Sequence, residues 1–143
     1  MDLLLICRDA LSSSLLSTTL TATEAKKAGV DVGVLFTQEA LAAVCEGTFA
    51  WPTGLMGQEL RYRMADSAKA MGIPTMGGKG DGRQIDVRQL VGMAKEGGVP
   101  MFACPVWAGL LGLQGKLPQG IAEVDAPTLL KMIGETKTII GSL

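Results

Sequence analysis

Two hydrophobic periods alternate along this chain. Residues 3–7 form an unbroken apolar run, as expected of a strand buried on both faces, and apolar runs at 30–36 and 99–104 are read as further strands. Between them, apolar positions recur at helical spacing. Leu11, Leu15, Ala22 and Ala25 form a stripe on a helix predicted over 10–28. Thr37 is placed to cap a short helix with Ala40, Leu41, Val44 and Cys45 inward. Leu60, Met64, Ala68 and Met71 fall on one face of a third helix. After Asp86, a capping residue, come Val87, Leu90, Val91 and Ala94 at i, i+3, i+4 and i+7. Pro105 opens a short apolar helix ending near Gly112. Asp125 and Pro127 start the last helix, with Leu129, Leu130 and Ile133 inward. Further strands are predicted over 73–76, 121–124 and 138–141, and 77–83 reads as a glycine-rich loop.

Punctuation supports the same order. Lysine, then glycine, then a β-favouring residue recurs at Lys27-Ala28-Gly29-Val30, Lys69-Ala70-Met71-Gly72-Ile73 and Lys95-Glu96-Gly97-Gly98-Val99. The cation complements a helix C-terminus, and glycine adopts the left-handed cap. Helices that end this way and feed apolar strands specify one α/β domain spanning 1–143. The expected architecture is a three-layer α/β/α sandwich around a mainly parallel sheet of five or six strands.

The first helix is rich in hydroxyls: Ser12, Ser13, Ser14, Ser17, Thr18, Thr19, Thr21 and Thr23. They serve either close packing through small residues or a functional hydroxyl cluster. Trp51, Met56 and Trp107 are large apolar residues that fill core gaps or meet another subunit. Mean hydropathy of +0.31 with 19% charged residues favours a buried subunit interface.

Composition narrows the chemistry. Among 143 residues there is no histidine, which removes Ser-His-Asp and Cys-His catalysis, His-ligated metals and imidazole proton transfer. A net charge of -1 and six aromatic residues argue against nucleic acid as a partner. No run approaches a membrane span, and the N-terminus lacks the pattern of a signal peptide. Three widely spaced cysteines form neither a disulfide framework nor a zinc site, and suggest a reducing, cytoplasmic setting. No cofactor motif is complete. The segment Gly72-Ile-Pro-Thr-Met-Gly77-Gly78-Lys79-Gly80 misses a P-loop, having no Ser or Thr after the lysine to hold Mg²⁺, and no GxGxxG follows the first strand. Glu59 and Arg63 are spaced to pair across one helical turn.

Ligands of open parallel sheets bind beyond the carboxyl ends of the strands. That rim is expected to collect Arg8 and Asp9, then Thr37, Gln38 and Glu39, then loop 77–83 and Cys104. Cys104 lies between a strand end and a helix start, where unpaired N–H groups favour thiolate. It is either a reactive thiol or a small buried hydrophobe. Cys7 and Cys45 read as core. Arg8 can hold an anionic or sulfur-bearing group near Cys104 or pair with a carboxylate.

The opening apolar strand, the helix leading to Gly29, Val32-Gly-Val-Leu-Phe-Thr37, the strand end Phe102-Ala103-Cys104-Pro105 with Gly112 downstream, and the late strand before Leu129-Leu130 together resemble the DsrE/DsrF-like family of sulfur-relay proteins. The resemblance implies an α/β/α fold, homo- or hetero-oligomers such as trimers or hexamers, and a persulfide carried on a cysteine after a strand. Cys104 matches that cysteine, and no role is implied for Cys7 or Cys45. Segments 47–56 and 77–83 look like features of a subgroup. The function implied is a sulfur relay with donor and acceptor proteins; the rim reading, apart from the resemblance, adds Arg8 and Thr37 as candidate substrate-binding residues beside Cys104. The alternative is a non-catalytic oligomeric module that binds a small ligand or a protein at the same rim.

Overall fold

A computed structural model describes residues 1–47, 57–77 and 84–141, with the backbone alone for 57–60. Five parallel strands form the main sheet: β1 (Leu3–Cys7), β2 (Val32–Phe36), β5 (Met101–Ala103), β6 (Ile121–Glu123) and β7 (Thr138–Gly141). Their order is β6-β5-β2-β1-β7. A separate antiparallel pair joins β3 (Thr75–Met76) to β4 (Gln84–Ile85). The helices among the described residues are α1 (Ser12–Lys27), α2 (Gln38–Glu46), α3 (Gly57–Ala70), α4 (Val87–Glu96), α5 (Pro105–Leu110) and α6 (Ala126–Glu135).

The strand order explains the layers. The chain steps one way through β1, β2, β5 and β6, then returns to the far side of β1 for β7. Right-handed crossovers then send α6 to the opposite face from the earlier helices. Packing agrees. Leu5, Val34, Phe36 and Met101 meet α1, α2 and α4 through Leu15, Leu41 and Val91 in the main core. Leu4 and Leu35 face the other way and meet Leu129 of α6, with Phe102, Met132 and Ile133 around them. All five residues of β2, the central strand, are buried, which is why its sequence shows no alternation.

The repeated glycine punctuation is a repeated hydrogen-bonded cap. Gly29, Gly72 and Gly98 have φ of +83°, +76° and +74°. The following N–H donates back across the helix end each time, Val30 to Ala25, Ile73 to Ala68 and Val99 to Ala94, at 3.0, 2.8 and 3.0 Å. This is the Schellman arrangement, and it turns each helix end into the next extended segment.

The hydroxyl-rich face of α1 packs. Ser12, Ser14, Thr18, Thr19 and Thr23 are buried, and two hydroxyls bond their own helix, Thr19 to Leu15 O at 2.7 Å and Thr23 to Thr19 O at 2.8 Å. Small side chains let α1 sit close to the sheet and to α4.

Several expectations are corrected. The strand expected at 73–76 belongs to the small antiparallel pair, because β3 finds β4 as its partner and not the main sheet. Met71 is 73% exposed and Leu130 68% exposed, although both were expected inward. Met71 follows the last helical residue and swings off the buried stripe, while Leu130 is a quarter-turn from Leu129 on a ten-residue helix that presents one narrow face to the sheet. Trp107 packs against the main core. Trp51, Met56, the Glu59 side chain, segment 48–56 and loop 78–83 lie outside the described residues.

Candidate functional site

Strand register assembles the carboxyl rim. Cys7 pairs with Phe36, and Phe36 with Ala103. The next residues, Arg8, Thr37 and Cys104, therefore stand in one row across three adjacent strands. Two bonds extend the ladder to this row: Thr37 N–H donates to Cys7 O at 3.0 Å, and Cys104 N–H to Phe36 O at 2.9 Å. With strands about 4.8 Å apart, the Arg8 and Cys104 backbones stand roughly 10 Å apart, within reach of an arginine side chain and a bound group.

Cys104 is the residue preceding α5, with extended backbone (φ -63°, ψ 121°), and Pro105 begins the helix. Its carbonyl accepts from Ala108 N–H at 2.8 Å. The side chain is partly buried against the α6-side core, and the thiol is free. α5 has only six residues, so the dipole at Cys104 is smaller than in a full-length helix. No charged residue occurs between Glu96 and Lys116, so charge at the thiol has to come from neighbouring strands. Arg8, exposed at the end of β1, is the basic residue of the row.

Thr37 is 8% exposed and precedes α2, but its hydroxyl makes no capping hydrogen bond. Gln38, next to it, has φ of +53°. A non-glycine residue in the left-handed region is strained, and such strain concentrates at functional positions. The strain aims the first turn of α2 at β1, where Ala40 N–H donates to Arg8 O at 3.0 Å. Nothing in the residue type signals this conformation. Asp9, expected on the rim, accepts from Leu11 N–H at 3.0 Å and so shapes the turn into α1.

The other cysteines stand apart from Cys104. Cys7 is fully buried in the main core on the α1 side. Burial pushes its thiol up to about 11, the neighbouring Thr18 hydroxyl pulls the other way, and Asp9 adds to the rise. Thr18 Oγ1 is buried with no hydrogen-bond partner among the described residues, and the Cys7 thiol is aimed at Asp9 O at 3.9 Å. Cys45 is half-buried beside a cavity of about 420 Å³ shared with Arg88, Pro118 and Gln119. Burial, and then the neighbouring Glu46, raise its thiol. Cys7 and Cys104 thus point to opposite faces of the sheet. Among the described residues, no group of three acidic or cysteine side chains could hold a metal ion, and no helix is long and apolar enough to cross a membrane.

The strand order and the helices on both faces define a three-layer α/β/α protein around a parallel five-stranded sheet. The chain shares its fold with the YchN protein of E. coli. The TM-score is 0.62 at 16% identity, over 99% of this chain and 98% of that one. No family model matches the chain, and no curated protein matches it in sequence.

Proposed function

We propose that this protein is a sulfur carrier that holds a persulfide on Cys104. The single observation that carries the proposal is the row Arg8–Thr37–Cys104 at the carboxyl ends of three adjacent strands, with a free, partly accessible thiol at one end and a guanidinium at the other. Cys104 thiolate attacks the outer sulfur of a donor persulfide, R–S–SH. The donor S–S bond breaks, R–S⁻ leaves, and Cys104–S–SH forms. An acceptor thiolate then attacks the outer sulfur, and Cys104 leaves as thiolate. Electrons balance in both steps without an outside oxidant or reductant, and no histidine is required. Arg8 stabilises the anionic persulfide, and Thr37 lies between them. Cys7 and Cys45 pack in or against the other core, which favours a carrier over a dithiol oxidoreductase with its own resolving cysteine.

Donor and acceptor proteins follow from this role. Assembly into a homo-oligomer, a trimer or hexamer, is part of the same proposal. Its support is the apolar surface of α5, directly after Cys104: Val106 and Leu110 are 62% and 70% exposed. Sedimentation velocity tests it.

The reduced protein is incubated with a small persulfide donor and weighed intact, beside a Cys104→Ser variant. Gain of one sulfur atom that disappears in the variant supports the carrier. No gain, or a gain that survives the substitution, leaves the rim as a ligand- or protein-binding surface.

A further inference from the structure

Leu16 and Leu20 lie on the outer side of α1, away from the sheet, against a small core formed by Ala68, Ile73, Ile85 and Leu90. Here α3 does not close onto α1. A cavity of about 350 Å³ remains, its wall formed by Leu16, Leu20, Met64, Met71 and Ile73. A second cavity of about 170 Å³ shares Leu20, Met71 and Ile73 and ends at Glu24 and Lys27. Through these shared residues the two are read as one trough, which runs roughly 10 Å along α3 from Arg63 to Ala70, at 1.5 Å per residue, and ends at Met71 just beyond the helix.

We propose that this trough binds the hydrocarbon chain of an amphiphilic carboxylate, with the carboxylate at Arg63. The volume falls in the range of small-ligand sites. The wall is almost entirely hydrocarbon, which disfavours sugars and nucleotides, whose polar groups would be left unpaired. Methionines at its rim adapt to a flexible chain. The two ends differ in charge. Lys27 is neutralised by Glu24 at 2.7 Å, whereas Arg63 is exposed and makes no ion pair among the described residues. An anionic head group at the Arg63 end satisfies both features; a neutral lipid leaves the guanidinium unused, and a cationic one is repelled. The trough contains no residue of the Cys104 row and stands or falls apart from the sulfur chemistry.

The full-length protein is titrated with decanoate by calorimetry and by NMR of the methionine methyl groups, with decyltrimethylammonium as the comparison. One saturable site is expected, with shifts at Met64 and Met71 and none at Met101, which is buried in the main core. Arg63→Gln should weaken decanoate about threefold to tenfold, the scale of one charge-assisted hydrogen bond, and leave decanol unchanged. Met71→Asp, at an exposed position where folding is safe, should weaken both. Absence of a saturable site, equal affinity for the cationic amphiphile, or an Arg63→Gln variant that binds decanoate normally would overturn the proposal. So would Met64 and Met71 signals that follow protein concentration and ignore decanoate, since a second copy would then occupy the trough.

Discussion

The backbone N–H of Cys104 donates to the carbonyl oxygen of Phe36 at 2.9 Å, so the cysteine is the last rung of the β2–β5 ladder. The bond uses the main chain alone and leaves the thiol free for chemistry. Cys104→Ser keeps this bond and nearly keeps the side-chain volume. Its unfolding free energy in urea should lie within about 1 kcal/mol of the parent protein, while sulfur uptake is lost. A variant that loses both would trace the loss of uptake to unfolding.

Native alkylation should separate the three thiols. Cys7 has no exposed surface and, with its thiol raised to about 11, is thiolate at about one part in a thousand at pH 8. Peptide mapping after brief iodoacetamide treatment should find label on Cys104 first and none on Cys7. In denaturant all three should react. Early label on Cys7 would contradict its place in the core.

Cys7 also ties stability to alkaline pH. The unfolded thiol ionises near 9.0, and the folded one keeps its proton to about 11. Between these values the folded state binds more protons, so stability falls as pH rises. The contribution is intact below about pH 9 and lost as pH passes about 11. A shift of this size is on the order of 2 kcal/mol. The readout is a difference between the parent protein and a Cys7 variant. Cys7→Ala should be less stable at pH 8 and lose less stability between pH 8 and 11 than the parent protein.

The elements of the main sheet were legible because their signals are local. Apolar runs, capping aspartates and the Lys–Gly endings each act within a few residues, and Asp86 and Asp125 cap through Gln89 and Thr128 N–H as their positions suggest. The row of Arg8, Thr37 and Cys104 was legible at the level of strand ends, since a parallel sheet brings such ends to one rim. Strand order was not legible. That β7 returns beside β1 depends on α6 crossing the other face, a long-range choice with no local mark. It supplies the second core, with Leu129, that Cys104 packs against. Nor was the exposure of Met71 visible, because a helical stripe says which positions share a face but not where the partner surface stops.

Gln38 offers a test of strain at the rim. Its φ of +53° costs a non-glycine residue roughly 1 kcal/mol. Gln38→Gly should raise the urea midpoint if the conformation is merely tolerated. If the strain orients Thr37 and Arg8 for the persulfide, the same variant should load sulfur more slowly as it gains stability. A variant that is destabilised would show that the Gln38 side chain holds the turn.

Two glycines separate the demand for space from the demand for conformation. Gly92, within α4, would place a new Cβ with nothing inside 4 Å, and its backbone is helical. Alanine there removes the glycine penalty and should stabilise by about 0.5–1 kcal/mol. Gly98, just past the end of the same helix, also has room, its nearest atom being Lys26 Cε at 3.9 Å, but its φ is +74°. Alanine there has to enter the left-handed region or break the bond from Val99 N–H to Ala94 O, and should destabilise by about 1 kcal/mol. Thermal or urea unfolding of the two variants should therefore move in opposite directions. Equal shifts of one sign would mean that the end of α4 does not depend on the left-handed cap that opens the way to β5 and Cys104.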